Sequence, residues 1–173
     1  KVGDAQIDQV EDATEDLANW LLNVSDAIMR DDWKTVEASL SADVKSTQMP
    51  ALNTAKQPFA SGVSKLAWEA PAGPAATLDR TATIAAWKKV FKRWTSIEDM
   101  LFKVKQATWT GNPPDIGEAR IFLSLNGIGP SGMIEDLSGW WAMSVDRQAD
   151  PKKFLITRIA PEAMVTLVPD RAI

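Results

Sequence analysis

The chain has 173 residues, a net charge of −4 and 24% charged residues, and it contains eight Trp but no His, Cys or Tyr. These absences exclude disulfide bonds and zinc sites built on Cys or His. They also exclude the imidazole, thiolate and phenol groups that often carry out catalysis. The acidic balance disfavours nucleic-acid binding, which needs clustered Lys and Arg. We therefore expect no metal, no cofactor and no nucleic-acid partner.

The length suits a single domain over residues 1–173, with enough chain for a substantial core. The longest apolar runs fall well short of the roughly 20 residues of a membrane-spanning helix. The sequence starts at Lys1 without an initiator Met. We expect a piece excised from a longer chain or a processed product. The compartment stays open: cytoplasmic, or exported after loss of a signal peptide.

The first thirty residues have the periodicity of an amphipathic helix, because apolar side chains recur at steps of three and four. A coiled-coil seam has the same spacing, but the pattern stops near Arg30. We therefore expect one helix that docks on a sheet. The residues predicted to lie on its buried stripe are Ile7, Val10, Thr14, Leu17, Leu21, Val24 and Ile28.

Two further helices are predicted from capping residues and apolar spacing. Asp31 or Asp32 can cap a short second helix, and Asp79 or Thr81 can cap a third helix over residues 81–94. The residues expected to face inward are Trp33, Val36 and Leu40 in the second helix and Ile84, Trp87, Phe91 and Trp94 in the third.

The second half of the chain alternates between apolar and polar residues, as strands do. The predicted strands cover residues 97–109, 117–128, 133–146 and 153–167. By contrast, residues 41–80 are weakly patterned, with short strand pieces expected near 62–68. This order predicts an α+β fold, with three N-terminal helices packed on a strongly curved, mainly antiparallel sheet that forms a cone-shaped α+β barrel.

Two soft motifs carry a family resemblance that covers nearly the whole chain. The first is Asp31-Asp32-Trp33 followed by Ser41-Ala42-Asp43-Val44, and the second is Trp140-Trp141 followed by the strand over 154–159. Together they resemble the nuclear transport factor 2-like superfamily, also called SnoaL-like, with its cystatin-like cone fold. The resemblance implies a bent sheet wrapped around helices, with a pocket at one end. Members include isomerases, cyclases, dehydratases and hydrolases, and others have no catalysis, so the fold does not decide the function.

One stretch permits a comparison with the steroid isomerase-like members. Trp68-Glu69-Ala70-Pro71 resembles their sequence before the third helix, but Ala70 stands where they carry the acidic proton shuttle. Glu69 is adjacent, and in a strand it would point to the opposite face. Their phenol donor is also absent, because the chain has no Tyr. The resemblance therefore leans away from this chemistry and from an enzyme.

Four carboxylates near strand starts are candidates for acid–base chemistry. Neighbouring residues in a strand face opposite sides, so each pair offers one inward group at most. Asp99 and Asp136 point inward if Trp140 faces the pocket, whereas Glu98 and Glu135 do so if Trp141 does. We take Asp99 and Asp136 as the catalytic candidates. The alternative is that they are solvated strand ends or salt-bridge partners.

The candidate ligand-binding residues are aromatic side chains and strand arginines. An Arg on the concave face can bind a carboxylate or phosphate through two hydrogen bonds, whereas an Arg on the convex face is solvated. Because Trp140 and Trp141 are adjacent in a strand, one of them lies on the outer sheet face and can support a homodimer. The candidates are Trp33, Trp87, Phe91, Arg120, Trp140 and Arg158.

The run from Gly127 to Gly132 matches a dinucleotide-binding pattern literally, but it contains Pro130 and precedes a strand, so we interpret it as a hairpin turn. Three functions stay open. The first is non-catalytic binding of a small, largely apolar or anionic ligand, with or without homodimerisation through the outer sheet face. The second is a lyase or isomerase that uses an inward carboxylate. The third is an accessory interaction module of a larger exported protein. The absence of His and Tyr favours the first and third.

Overall fold

The computed structural model describes residues 3–171. Three helices, α1 to α3, cover Asp4–Met29, Trp33–Ala38 and Arg80–Phe91. Nine strands, β1 to β9, cover Leu40–Thr47, Ala51–Leu52, Gln57–Ala60, Val63–Glu69, Thr77–Leu78, Ser96–Thr110, Ile116–Ile128, Ile134–Arg147 and Phe154–Pro169. Within the described range, no helix is long and apolar enough to cross a membrane.

Helix α1 docks on the sheet through its C-terminal two thirds. Its buried residues begin at Ala13 and include Leu17 and Leu21, as the apolar spacing predicts. The prediction is wrong for the first turns, because Ile7 is 44% exposed and Val10 is 36% exposed. The apolar stripe extends further along the helix than the surface that covers it.

Helices α2 and α3 begin at the expected caps. The Asp32 carboxylate accepts a hydrogen bond from the Thr35 backbone N–H, and the Asp79 carboxylate accepts one from the Ala82 N–H. Leu40, expected in the second helix, instead begins β1. Trp94, expected in the third helix, follows the end of α3 and is nevertheless 5% exposed. Its inward direction is therefore set by the turn after α3 and not by helical periodicity.

The four predicted long strands form an antiparallel meander, and α+β is the observed fold class. The sheet has nine strands, six of them in the order β2-β4-β9-β8-β7-β6. Strand β1, which the sequence did not reveal, runs parallel to β9 and also pairs with β5, and β3 pairs with β4. In the described part of the chain the sheet stays open, because β2 and β6 do not pair. The barrel description is therefore corrected to a curved open sheet.

A register shift between Gly139 and Trp141 marks a β-bulge, which bends β8 where it meets the middle of β9. Strand β9 pairs with β1 at Ile156–Ile159 and with β4 at Met164–Pro169, so one strand supports two separate neighbours. Gly139 in β8 lies opposite Met164, and a Cβ at Gly139 would approach the Met164 Cγ to 2.5 Å. The absence of a side chain at residue 139 therefore allows the close strand approach at the bend.

Three aromatic rings fill the space between α3 and the concave face of the sheet. Trp87 from α3 lies 5.3 Å from Trp141 of β8 and 6.4 Å from Phe102 of β6, measured between ring centroids. Phe102 and Trp141 are 5.6 Å apart. Trp87 and Trp141 are completely buried. We call these three residues the aromatic core, and their mutual packing occupies the centre of the cone.

We predict a pH-dependent contribution of the Asp32 cap. Its hydrogen bonds from Thr35 lower the pKa of the Asp32 carboxyl below its ordinary value of 3.8. The charged cap therefore stabilises the fold above that value, and the stabilisation is lost as the pH falls through the lower folded pKa. Asp32→Ala should lower the free energy of unfolding at about pH 6 and have a much smaller effect at about pH 2.5.

Urea unfolding followed by circular dichroism checks this expectation. Asp32→Asn is the matched control, because its amide oxygen still caps the helix but has no charge to titrate. A cost of Asp32→Ala that does not change between the two pH values would contradict the assignment.

Candidate functional site

An open groove of about 860 Å³ lies between α3 and the short strands at the mouth of the cone. Its volume falls in the range of small-molecule sites, roughly 300–1,000 Å³. Most of its surface is apolar, as is usual for such sites. Its apolar walls include Ala82, Ala86 and Val90 of α3 and Leu52, Trp68 and Leu78 of β2, β4 and β5. We call it the α3 groove.

Pairing within the sheet holds the wall opposite α3 in place. Leu52 in β2 is the register partner of Trp68 in β4. The Trp68 indole Nε1 donates a 2.8 Å hydrogen bond to the Thr166 hydroxyl of β9. This bond fixes the ring orientation and satisfies a buried donor, since Trp68 is 7% exposed. The aromatic wall is therefore anchored to the central part of the sheet.

One end of the α3 groove is cationic. Lys89, Lys92 and Arg93 line it, and among the lining residues that the structure describes there is no Asp or Glu. This is a local reversal of charge in a chain whose net charge is −4. A groove with an apolar body and a cationic end favours ligands with the complementary arrangement.

A buried ion pair supports this cationic end. Arg93 Nε donates to Glu135 Oε1 at 2.8 Å, and the side chains of Arg93 and Glu135 are 19% and 4% exposed. The Trp94 indole donates to the Glu135 backbone carbonyl at 3.3 Å. Gly129 leaves room for the carboxylate, because a Cβ at this position would lie 2.2 Å from Glu135 Oε2. The glycine run at 127–132 therefore forms the predicted β7–β8 turn, and it also accommodates Glu135.

A second, more polar recess of about 630 Å³ lies beside the C-terminal end of α3 and is lined by Trp33, Lys88 and Phe91 among others. The Trp33 indole donates to the Asp31 carboxylate at 2.6 Å, and the Lys88 ammonium lies 5.9 Å from the Trp33 ring centroid. Two of the predicted ligand-binding residues, Trp33 and Phe91, thus lie together. They are separate from the apolar walls of the α3 groove.

The other predicted ligand-binding residues lie elsewhere. Trp87 is completely buried in the aromatic core and lines neither cavity. Trp140 and Arg120 lie on the outer face, with the Arg120 guanidinium 4.5 Å from the Trp140 ring centroid and paired with Glu162. Arg158 is exposed on β9, opposite Ser144. Of the two orientations considered for Arg120 and Arg158, the structure therefore has the outward, solvated one.

The inward orientation of Asp99 and Asp136 is wrong, because both residues are exposed. Trp141, not Trp140, faces the core, and this phase turns Glu135 inward and Asp136 outward. Glu98 is exposed as well and accepts a hydrogen bond from the Ser96 hydroxyl. The β-bulge between Ile97 and Asp99 breaks the alternation at the start of β6, so the phase of this strand end could not be extrapolated.

The stretch compared with the steroid isomerase-like members, residues 68–71, lies at the end of β4 and at the edge of the α3 groove. Trp68 lines the groove, whereas Glu69 and Ala70 are exposed. Glu69 accepts a hydrogen bond from the Asn53 side chain at 3.1 Å. Leu52 and Leu78, which line the groove, were missed because their two-residue strands β2 and β5 are too short to show alternation.

The α+β fold of this chain is similar to that of several solved structures. A protein from Novosphingobium aromaticivorans, provisionally assigned as a scytalone dehydratase, has a TM-score of 0.60 at 10% identity, over 96% of this chain and 93% of that one. A conserved protein from Planctomyces limnophilus has a TM-score of 0.57 at 14% identity, over 90% and 97%.

A nuclear transport factor 2-like protein of unknown function from Shewanella oneidensis has a TM-score of 0.54 at 14% identity, over 86% of this chain and 97% of that one. No model of a protein family and no curated protein matches the sequence. The chain thus has the nuclear transport factor 2-like, cystatin-like cone fold, which confirms the fold expected from the resemblance. Identities this low show the fold alone.

We predict that the buried ion pair matters far more for stability than an exposed one. Glu135→Gln leaves the Arg93 charge without its counter-ion in a mostly buried position and should cost about 2 kcal/mol of unfolding free energy. Glu162→Gln makes the same chemical change in the exposed pair with Arg120 and should cost about 0.5 kcal/mol or less. Urea unfolding measures both, and equal costs would contradict the structural role of Glu135.

Proposed function

We propose that this protein binds a small, largely apolar ligand in the α3 groove and does not transform it. The observation that carries the proposal is the groove itself, with about 860 Å³ between apolar walls and a few polar groups gathered at one end. Such a combination is typical of binding sites for small molecules. The hydrogen-bonded Trp68 ring offers a rigid surface on which a ligand can pack.

The arrangement of carboxylates favours binding over acid–base catalysis. A general acid or base must present its carboxyl group to the ligand. Glu135, the inward member of the predicted pairs, has its carboxylate engaged by Arg93. A lyase or isomerase remains the alternative function, and it would require Glu135 to exchange this partner for a substrate. The provisional dehydratase assignment of one structural neighbour belongs to a protein with only 10% identity.

A bulky side chain in the α3 groove should block the binding of an apolar probe. Ala86 lines the groove, so Ala86→Phe should fill part of it and weaken binding of the neutral dye Nile red by about tenfold, the equivalent of about 1.4 kcal/mol. Fluorescence titration measures the dissociation constant. Ala85→Phe is the matched control, because Ala85 is exposed on the same helix and is not part of the groove lining.

Two outcomes would remove the proposal. One is an absence of saturable dye binding by the unmodified protein. The other is an equal loss of affinity in the two variants, which would show that the dye responds to the helix or to the fold and not to the α3 groove.

We also propose that the protein forms a homodimer through the outer face of the sheet. The Phe122 and Trp140 rings lie there with centroids 5.0 Å apart, and both are half-buried. Apolar neighbours in the adjoining strands, Leu101, Val165 and Leu167, are half-buried on the same face. These apolar side chains alternate with polar residues on the face, and a partly exposed aromatic pair of this kind favours cover by a partner surface. A two-fold dimer provides that cover, because each copy offers the same patch.

Charge placed at the centre of this face should dissociate the dimer. Trp140→Lys removes the largest apolar side chain and introduces a cation beside Arg120, so the molar mass from light scattering should fall from that of two chains to that of one. Leu22→Lys is the control, because Leu22 is an exposed apolar residue on α1, 48% exposed, away from the face. A monomeric unmodified protein at every concentration tested would overturn the dimer.

A further inference from the structure

The polar end of the α3 groove is cationic. Lys89 and Lys92 are exposed at this end, and Arg93 lines it as well. A third recess, near the N-terminal helix, is mainly acidic: Asp12, Glu15 and Asp16 line it together with Arg147, which pairs with Asp16. The α3 groove thus combines apolar walls with cations in a chain whose net charge is −4.

The Arg93 guanidinium is held in a defined orientation. Glu135 accepts hydrogen bonds from Arg93 Nε at 2.8 Å and from Nη2 at 3.4 Å, which occupies one edge of the planar group. Within residues 3–171, Nη1 has no hydrogen-bond acceptor. A guanidinium oriented on one side by a buried carboxylate retains donors on the other side for a second acceptor.

The charges balance in a way that leaves the groove positive. Glu135 neutralises Arg93, while the ammonium groups of Lys89 and Lys92 have no salt-bridge partner among the described residues. These two ammonium groups repel a cationic ligand, and a neutral ligand forms no ion pair with them. A ligand with an anionic head group beside an apolar body therefore matches this combination.

We infer that the ligand of the α3 groove is an apolar monocarboxylate, aliphatic or aromatic. Its carboxylate binds between Lys89, Lys92 and the free edge of Arg93, and its apolar body lies along Trp68, Leu52 and Leu78. The inference rests on the proposed binding function and specifies the ligand class of the same site. Charge-assisted hydrogen bonds at the edge of an apolar groove fix the ligand orientation, and the apolar walls contribute the larger part of the contact area.

The test compares two ligands that differ only in the head group. Decanoate and decan-1-ol are titrated below their aggregation limits by displacement of Nile red and by calorimetry. We expect decanoate to bind about tenfold more tightly than decan-1-ol, because one or two charge-assisted hydrogen bonds are worth this factor. Added KCl should reduce this preference, since the lysines are exposed.

Three double variants locate the preference. Lys89→Gln combined with Lys92→Gln should bring the two affinities close together by weakening decanoate, with decan-1-ol unchanged. Lys103→Gln combined with Lys105→Gln removes the same charge from strand β6 and should keep the preference. Arg93→Gln combined with Glu135→Gln removes the buried pair as a unit, and it should weaken decanoate in a protein whose circular dichroism is unchanged.

Each result has a distinct meaning. Equal affinity of the unmodified protein for both ligands overturns the carboxylate inference and leaves apolar binding in place. Failure of both ligands and of the dye to bind overturns the proposed function as well. A preference that survives in all three variants places the carboxylate away from the α3 groove and overturns the inference. If only the Lys89 and Lys92 variant loses the preference, the two lysines bind the carboxylate and Arg93 does not.

Discussion

The packing of Trp87 against Trp141 and Phe102 is the constraint on which the rest of the molecule depends. These rings join α3 to two strands of the meander, and they occupy the volume that the curved sheet encloses. Close-packed protein interiors leave little room for a bound ligand. The candidate groove therefore lies at the edge of the aromatic core, between α3 and the strands β2, β4 and β5. Its position follows from how the core is filled.

The same constraint explains why the short strands matter. A bent sheet needs positions where strands can approach closely, and Gly139 opposite Met164 is one of them. Beyond the bend, β4 pairs with β9, and β2 pairs with β4. The wall of the α3 groove opposite α3 therefore depends on pairing with β9. The Trp68–Thr166 hydrogen bond joins the same two strands. The part of the wall formed by Leu52 and Trp68 thus belongs to the sheet.

The sequence predicted the regular part of this fold and missed the part that forms the site. In a long strand with alternating residues, such as 117–128, the sequence itself indicates which residues share a face. The observed β7 has this alternation. By contrast, β1, β2 and β5 are defined by pairing with distant strands, and two of them have only two residues. Local periodicity contains no information on such pairing. The inward orientation expected for Asp136 was wrong because the sequence alone did not decide whether Trp140 or Trp141 faces inward.

The Arg93–Glu135 pair connects the core with the cationic end of the groove. Glu135 lies on β8 only a few residues before the strand reaches Trp141, while Arg93 follows the helix that carries Trp87. Burying a charge requires a counter-charge, so neither residue is replaceable alone. If stability were its only role, an apolar pair would serve as well. An ion pair at this point has a second property that an apolar pair lacks, since it holds an oriented cation at the edge of an apolar cavity. Its position is therefore consistent with the proposed recognition of an anion beside the core.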